Sequence, residues 1–343
     1  MSYYFNLPPI TQLTLPQQAA LNETELIALS GGPGSGKSVV SLYRHLRIHN
    51  NGYKSLLITY TTTLKRYLVE CCRLQNASAA AFVRTAYAGR PKSWENFNEV
   101  IVDEAQDLDE SYYDSIRKFK ISYGADEAQI LYSQHSSTLS DLRERYPDNV
   151  DYFLDTNFRN TLPIMKFAQD AFPEAFISQN TLDELKNRDG EKPRLIVTNG
   201  NPVFDDNARK VRDKAIKEII NSFRSEVHNI AILLPFKKGV ESYHELLDNM
   251  NIKHSMYYED NNVFPHGCPE IDNVHVTTYK SAKGLEFDTV LIPDFGSMSY
   301  LCDKYEMLTW KDFYVAVTRA KRNLYLFSNY NIPTLGNVVE VVE

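Results

Sequence analysis

The stretch Gly31-Gly32-Pro33-Gly34-Ser35-Gly36-Lys37-Ser38 decides the fold of this chain. It has the spacing of a phosphate-binding P-loop, in which glycines let the backbone curl around a triphosphate and turn successive N–H groups inward. In such a loop the lysine reaches the β- and γ-phosphates, and the hydroxyl that follows it holds Mg²⁺. We therefore predict a phosphate cradle made by Gly31, Gly32, Gly34, Ser35 and Gly36, with Lys37 on the phosphates and Ser38 on the metal.

The residues on either side of this loop agree with the motif. Residues 26–29 form a short apolar run typical of a buried parallel strand, and Val39, Val40, Leu42 and Leu46 follow at near-helical spacing. A strand, a glycine-rich loop and a helix are thus predicted in succession. The N-terminus of that helix adds its partial positive charge to the phosphate site.

Length and composition narrow the class of protein. The chain has 343 residues, enough for two domains, and its 43% apolar and 24% charged residues are typical of a globular protein. It has no apolar run of about 18 residues and no signal-peptide pattern, so we expect no membrane partner. Its four cysteines lack the spacing of a zinc site or a disulfide framework. These features predict a cytoplasmic protein, without zinc.

The net charge of −7 argues against indiscriminate nucleic-acid binding. A local basic groove remains compatible with this net charge, because a nucleic-acid site needs to neutralise only a few phosphates.

A second chemical motif ends an apolar strand at Val100-Ile101-Val102-Asp103-Glu104. Asp103 at the strand tip can hold the metal through its water shell, while Glu104 can polarise the water that attacks a γ-phosphate. An ordinary charged strand end is the alternative. This alternative is less favoured, because a P-loop lies upstream in the same alternation of strands and helices. In such a fold the carboxyl ends of the strands line one crevice, which would place the acid pair near the P-loop.

Gln17 precedes the P-loop at the start of a short predicted helix. Its amide offers a donor and an acceptor at once, which suits the edge of adenine. A polar residue near a helix start would explain the same pattern equally well.

The alternation of strands and helices runs through the whole chain and predicts an α/β fold with parallel sheets. In the first half, strands are predicted at 54–60, 81–85 and 100–102, weakly at 121–123, and more strongly at 129–133. In the second half they are predicted at 194–198, 228–234, 253–258, 273–278, 289–293 and 323–327. Helices are predicted at 207–223, 240–250 and 310–320. We place the domain boundary in the polar loop 146–150, giving domains 1–150 and 151–343.

The ordered motifs resemble those of superfamily 1 helicases of the UvrD/Rep group over nearly the whole chain. In the family's order they are Gln17, the P-loop, Ile58-Thr59-Tyr60-Thr61, Asp103-Glu104-Ala105-Gln106, a degenerate Asp126-x-x-Gln129, Leu154-x-x-Asn157-Phe158-Arg159-Asn160, the segment from Thr278 through Gly284 and Glu286 to Asp288, and Tyr314 to Lys321. The last two are highly specific.

This resemblance implies two tandem RecA-like domains with ATP and Mg²⁺ bound in the cleft between them. Arg159 and Arg319 match the family's arginines that stabilise charge on the γ-phosphate. The other implied nucleotide contacts are Phe158 stacking on adenine, Glu286 on the ribose beside Gly284, and Gln129 sensing the γ-phosphate or its attacking water.

The resemblance also implies an ATP-dependent helicase or translocase that moves 3′ to 5′ along single-stranded DNA. The expected strand contacts are Thr59, Tyr60, Thr85, Tyr132 and Thr278. Aromatic faces among them can stack on bases, and hydroxyls can bond phosphates.

The chain departs from the family pattern in ways that leave alternatives open. The tryptophan expected after Gln129 is absent, and Gln134, near its place, could be the γ-phosphate sensor instead. Only about forty residues separate Thr59 from Asp103 and about 110 separate Arg159 from Thr278, so we expect a minimal core without large accessory domains. The alternative function is therefore an ATP-driven regulatory subunit of a larger complex, for example with a nuclease.

Overall fold

The computed structural model describes residues 2–3, 5, 7–88, 96–131 and 136–342. The chain divides into two compact units. The first, Phe5–Phe158, contains the P-loop and is called the P-loop unit; the second, Arg159–Glu343 together with Met1–Tyr4, is called the C-terminal unit. The division lies a few residues beyond the loop 146–150 in which the sequence placed a boundary.

The described strands of the P-loop unit form one parallel sheet in the order β3-β2-β4-β5-β1-β6. Its elements are α1 (Leu15–Asn22), β1 (Ile27–Ser30), α2 (Lys37–Asn50), β2 (Ser55–Thr59), α3 (Thr62–Gln75), α4 (Ala77–Ala80), β3 (Val83–Thr85), β4 (Glu99–Asp103), α5 (Glu110–Ile116), β5 (Ile121–Ala125), α6 (Leu139–Arg145) and β6 (Val150–Phe153). Because the strands are parallel, their carboxyl ends meet at one edge. That edge carries the P-loop after β1 and the acid pair after β4.

Local sequence explains how the elements around the P-loop begin. Thr14 and Gln17 form a reciprocal capping box at the start of α1. Gly36, at φ 85°, is the residue before α2. The central strands β1, β4 and β5 are buried over their whole length and lie in a core with Ala28, Val102 and Tyr123. Burial on both faces is what a parallel sheet covered by helices requires.

The described strands of the C-terminal unit form a second parallel sheet in the order β13-β7-β12-β11-β8-β10-β9. Its elements are α7 (Leu162–Ala171), α8 (Gln179–Glu184), β7 (Arg194–Val197), α9 (Asp206–Phe223), β8 (Ile230–Leu234), α10 (Lys237–Asn249), β9 (Ser255–Tyr257), β10 (Val274–Thr278), β11 (Phe287–Ile292), α11 (Met298–Lys304), α12 (Trp310–Val317), β12 (Ala320–Ser328) and β13 (Glu340–Val342). Its core packs Ile216 and Ile220 of α9 and Val240 of α10 against the sheet. The predicted α/β class with parallel sheets is confirmed.

Two element predictions were wrong. Residues 129–131, the described part of the stretch 129–133, form no strand: Gln129 ends a 3-10 turn, Glu127–Gln129. The strand beside β4 is the other predicted one, extended to Ile121–Ala125. The side chain of Asp126 accepts a hydrogen bond from the Ala128 N–H, which bends the chain away from the sheet. Residues 132–133 lie outside the described residues.

The predicted helix 310–320 is also too long. Helix α12 ends at Val317, and Ala320 already begins β12. The Thr318 hydroxyl bonds back to the carbonyl oxygen of Val315, so the chain leaves the helix at Thr318 and enters the strand two residues later. Among the described residues, no helix combines the length and apolar character needed to cross a bilayer.

Two buried histidines make stability depend on pH. Burial lowers the pKa of His45 to about 4 and that of His275 to about 3. Both rings bind protons in the unfolded chain near their ordinary pKa of 6.5 but resist protonation when folded. Their neutral forms therefore contribute stability above pH 6.5 that is lost as the pH falls toward 4 and then 3.

We predict that the free energy of unfolding of the C-terminal unit falls by up to about 1.4 kcal/mol per pH unit below pH 6.5 through His275 alone. Urea unfolding followed by Trp310 fluorescence, in a Trp94→Phe background, measures this between pH 7.5 and 5.5. A His275→Gln variant should show a shallower slope. An equal slope in both proteins would contradict the assignment to His275.

Candidate functional site

Three glycines shape the P-loop. Gly31, Gly34 and Gly36 have φ angles of 144°, 71° and 85°, in the region that favours glycine. A Cβ atom on Gly31 would collide with the carbonyl oxygen of Leu154, and one on Gly36 with the Gln17 side chain. The backbone of the loop is therefore held in a shape that only glycine allows at these positions.

Lys37 begins α2 and turns its side chain into the loop. Its Nζ atom donates to the carbonyl oxygens of Gly31 and Gly32, at 2.7 and 2.9 Å. It also lies 3.6 Å from Oδ2 of Asp126. Lys37 as a whole is only 7% exposed, so these oxygens replace much of the hydration of its ammonium group.

Asp103 ends β4 beside this lysine. Its carboxylate is 1% exposed and is hydrogen-bonded by the side chain of Ser38. Burial, followed by the charge of Glu104, raises the pKa of Asp103 to about 7, while Ser38 and Lys37 act in the opposite direction. Within the described residues, its Oδ2 atom has no hydrogen-bond partner. A buried, unpaired carboxylate oxygen beside a hydroxyl is a suitable donor set for a hard cation such as Mg²⁺.

Glu104 follows in a left-handed backbone conformation, with φ 56° and ψ 46°. This conformation costs a non-glycine residue roughly 1 kcal/mol or more and is often found at functional sites. The Oε2 atom of Glu104 accepts a 2.5 Å hydrogen bond from Nε2 of Gln106, whose Oε1 accepts from the Asp126 N–H at 3.1 Å. Gln106 thus joins the acid pair after β4 to the segment after β5.

Asp126 connects the remaining polar groups. Its Oδ2 atom accepts a hydrogen bond from Nε2 of Gln129 at 2.6 Å, and the same oxygen faces Lys37. Sequence reasoning gave no role to Gln106 or Asp126, although both belong to quoted motifs. The spacing Asp126-x-x-Gln129 could have indicated this contact. A side chain three residues into a turn, here Gln129, can reach back to the residue before the turn, here Asp126.

Gln17 lies against the P-loop, buried between α1 and the loop. Its Nε2 atom donates to the carbonyl oxygen of Ser35 at 2.9 Å, and its Oε1 atom accepts from the Thr14 N–H at 2.9 Å. Both ends of the amide are therefore engaged within the protein. The adenine-reading role stays a prediction.

The expected strand-contacting residues of the P-loop unit lie at the ends of β2 and β3. Thr59 and Thr85 face each other in parallel register. Tyr60 is half-buried and packs edge-to-face on Tyr87, with ring centroids 6.0 Å apart. The expected contact Tyr132, and the alternative sensor Gln134, lie outside the described residues.

Within the C-terminal unit, Arg159 and Glu286 form an ion pair. The Nε atom of Arg159 donates to Oε2 of Glu286 at 3.1 Å, and Lys321 approaches the other carboxylate oxygen at 3.6 Å. Gly284 precedes this group with φ 85°. The structure thus brings together three expected nucleotide contacts, Arg159, Gly284 and Glu286, on one unit.

In the same unit, the side chains of Arg319 and Thr278 form hydrogen bonds with backbone groups a few residues away. Arg319 is 1% exposed, and its Nε atom donates to the carbonyl oxygen of Val315 at 3.0 Å. The Thr278 hydroxyl accepts from the Ser281 N–H at 3.1 Å, at the end of β10. Phe158, the last residue of the P-loop unit, is 39% exposed, and its N–H donates to the carbonyl oxygen of Gly34.

Comparisons with known proteins agree with these motifs. Residues 273–327 match the UvrD-like helicase C-terminal domain. The chain is 26% identical over 253 residues to a candidate ATP-dependent DNA helicase, R568, of Acanthamoeba polyphaga mimivirus, covering 68% of this chain and 34% of that protein. It is 32% identical over 93 residues to the RecBCD enzyme subunit RecB of Chlamydia pneumoniae, covering 27% of this chain and 9% of RecB. The chain therefore spans about a third or less of these relatives.

Among solved structures, Saccharomyces cerevisiae Dbp5 bound to RNA and ADP BeF3 aligns with a TM-score of 0.58 and 11% identity, covering 97% of this chain and 90% of that one. This likeness concerns the fold alone and confirms the tandem RecA-like parallel-sheet domains. These matches are consistent with the resemblance of the motifs to superfamily 1 helicases of the UvrD/Rep group.

Gly31 and Gly32 offer a matched test of the loop geometry. Alanine at Gly31 would require an unfavourable φ and a clash with the Leu154 carbonyl, whereas a Cβ on Gly32 meets no atom within 4 Å. We predict that Gly31→Ala destabilises the P-loop unit by about 2 kcal/mol, or roughly 4–8 °C in Tm. Gly32→Ala should leave Tm within about 1 °C. Equal Tm values for the two variants, measured by calorimetry, would refute this geometry.

Proposed function

We propose that the chain is an ATPase that couples hydrolysis to movement along single-stranded DNA. The observation that carries this proposal is the convergence of Lys37, Ser38 and Asp103 below the P-loop, with a buried carboxylate oxygen left unpaired. Such a group is costly to bury and is retained where a cation satisfies it.

The residues of the P-loop unit fit a nucleoside triphosphate with Mg²⁺. Lys37 would contact the β- and γ-phosphates, in place of its present bonds to loop carbonyls, while the loop N–H groups bind phosphate oxygens. Ser38 and Asp103 would hold Mg²⁺, which neutralises charge on those oxygens. Gln17 would read adenine if its amide exchanged its present partners for the base.

Glu104 would orient the attacking water and accept its proton. The hydrogen bond from Gln106 fixes its side chain, and Asp126 positions Gln129 within the same network. This arrangement supports Gln129 as the group that senses the γ-phosphate or its water.

The C-terminal unit would supply the remaining nucleotide contacts. Arg159 and Arg319 are proposed to stabilise charge on the transferred phosphoryl group. Phe158 would stack on adenine, and Glu286, beside Gly284, would bind the ribose. For Glu286 to do so, its ion pair with Arg159 has to open, and Arg159 would then exchange Glu286 for the phosphoryl oxygens.

DNA is the proposed track because the mimivirus relative is described as a DNA helicase and the C-terminal match is to a UvrD-like helicase domain. Thr59, Tyr60, Thr85, Tyr132 and Thr278 are the proposed strand contacts, and 3′-to-5′ movement is proposed from the family resemblance alone.

A second candidate function is that of an ATP-driven regulatory subunit in a larger complex, which would also contain a partner protein such as a nuclease. The match to RecB, which is named as a subunit of the RecBCD enzyme, favours it, as does the net charge of −7. Displacement of a tailed duplex by substoichiometric amounts of the purified chain would exclude dependence on a partner.

The proposal is tested by steady-state ATP hydrolysis with and without a single-stranded DNA oligomer, at low and moderate salt. We expect DNA to raise the rate about tenfold or more and the stimulation to fade with salt, which competes for phosphate contacts. Glu104→Gln should keep nucleotide binding and lose at least about 10² of the rate. A rate equal to that of this variant, or one indifferent to DNA, would overturn the proposal.

Arg319→Ala tests the role of the buried arginine. We expect nucleotide affinity to be retained while kcat falls by about 10³ or more. Arg322→Ala is the matched control, because Arg322 is exposed on β12, three residues after Arg319. Since Arg319 also bonds the Val315 carbonyl, Tm is measured for both variants. Unchanged turnover in a folded Arg319→Ala protein would remove Arg319 from the mechanism.

A further inference from the structure

Two histidines and an aspartate form a cluster on the C-terminal unit that includes none of the proposed nucleotide or DNA contacts. His244 and Asp248 lie one turn apart on α10, and His254 immediately precedes β9. Each offers one ligand atom, and the three atoms lie within 4.8 Å of one another. We propose that His244, Asp248 and His254 bind a divalent transition-metal ion, with Zn²⁺ as the preferred ion.

The backbone fixes the tautomer of His254. Its Nδ1 atom lies 2.7 Å from the carbonyl oxygen of Ile252. A carbonyl oxygen only accepts hydrogen bonds, so Nδ1 carries the proton and the neutral ring presents a lone pair at Nε2. A backbone carbonyl that orients the second nitrogen in this way is the usual support of a metal-binding histidine.

The protons of the cluster can then be assigned in sequence. The Nε2 atom of His254 lies 2.7 Å from Nδ1 of His244, so Nδ1 of His244 must be the donor. A neutral His244 then has its own lone pair at Nε2, which lies 3.6 Å from Oδ2 of Asp248. A lone pair and a carboxylate repel each other, and a cation between them removes this repulsion.

The separation of the His244 Nε2 atom and the Asp248 Oδ2 atom is compatible with a metal ion between them. A proton on Nε2 would be shared over 3.6 Å, which is too long for a hydrogen bond. In a tetrahedral zinc site with bonds of about 2.0–2.1 Å, neighbouring ligand atoms are about 3.4 Å apart. Metal binding would break the hydrogen bond between the two imidazoles, because the lone pair on Nε2 of His254 can either accept that hydrogen bond or coordinate the metal.

The ligand set selects the class of metal. Imidazole suits Zn²⁺, Cu²⁺ and Ni²⁺, and two imidazoles with one carboxylate leave a fourth position for water in a tetrahedral site. The sequence-based expectation of a chain without zinc rested on cysteine spacing. Here the ligands are histidines ten residues apart, brought together by the turn between α10 and β9.

A metal in this place would clamp α10 to β9. The connection between them turns at Asn251, which has a positive φ of 55°, and β9 is the edge strand that pairs with β10. Ligands from both sides of the turn would restrain it. Binding to the folded form alone raises stability by mass action.

The test is calorimetric titration of ZnCl₂ into the full chain without nucleotide. We expect one ion per chain, with affinity reduced at least about 100-fold in His254→Gln and in His244→Gln, and about tenfold in Asp248→Asn. His266→Gln is the matched control, since His266 is exposed two residues from Cys268 and would belong to any rival site there. It should bind Zn²⁺ like the wild type.

Thermal unfolding supplies a second readout. Zn²⁺ should raise Tm in the wild type and in His266→Gln but not in His254→Gln. If His244→Gln does not fold, His254→Gln alone decides the outcome. Absence of Zn²⁺ binding by the wild type, or equal affinity in the wild type and His254→Gln, would overturn the proposal, and neither result depends on ATP hydrolysis.

Discussion

The buried ammonium group of Lys37 is the constraint on which the P-loop unit depends. Lys37 is 7% exposed, so its charge must be met by protein oxygens. The loop supplies two of them, because the carbonyl groups of Gly31 and Gly32 point toward the ammonium group. The carboxylate of Asp126 provides the balancing charge. The lysine therefore links the ends of β1 and β5, and Gln106 extends the polar network to the end of β4.

The parts of this arrangement that are local in sequence could be predicted. The P-loop, the strand before it and the acid pair after β4 each follow from a few consecutive residues, and the structure places Lys37, Ser38 and Asp103 together. The order of the later motifs also indicates the resemblance to UvrD/Rep helicases. Roles assigned to individual side chains remain predictions, because they concern a ligand.

Other features depend on contacts between segments distant in sequence. The links from Glu104 through Gln106 to Asp126 require the ends of β4 and β5 to be adjacent, which composition alone does not specify. The strand at 129–133 was predicted wrongly because its apolar residues outweighed a turn made by one aspartate side chain. Helix α12 was extended too far because residues 318–320 contain no glycine or proline to mark its end.

The hydrogen bond from the Phe158 N–H to the Gly34 carbonyl ties the middle of the P-loop to the last residue of its unit. The next peptide bond leads to Arg159 and the C-terminal unit. The segment that joins the two units is therefore hydrogen-bonded, at Phe158, to Gly34 in the middle of the P-loop. Loss of this hydrogen bond would leave the Phe158 N–H and the Gly34 carbonyl oxygen in need of other partners.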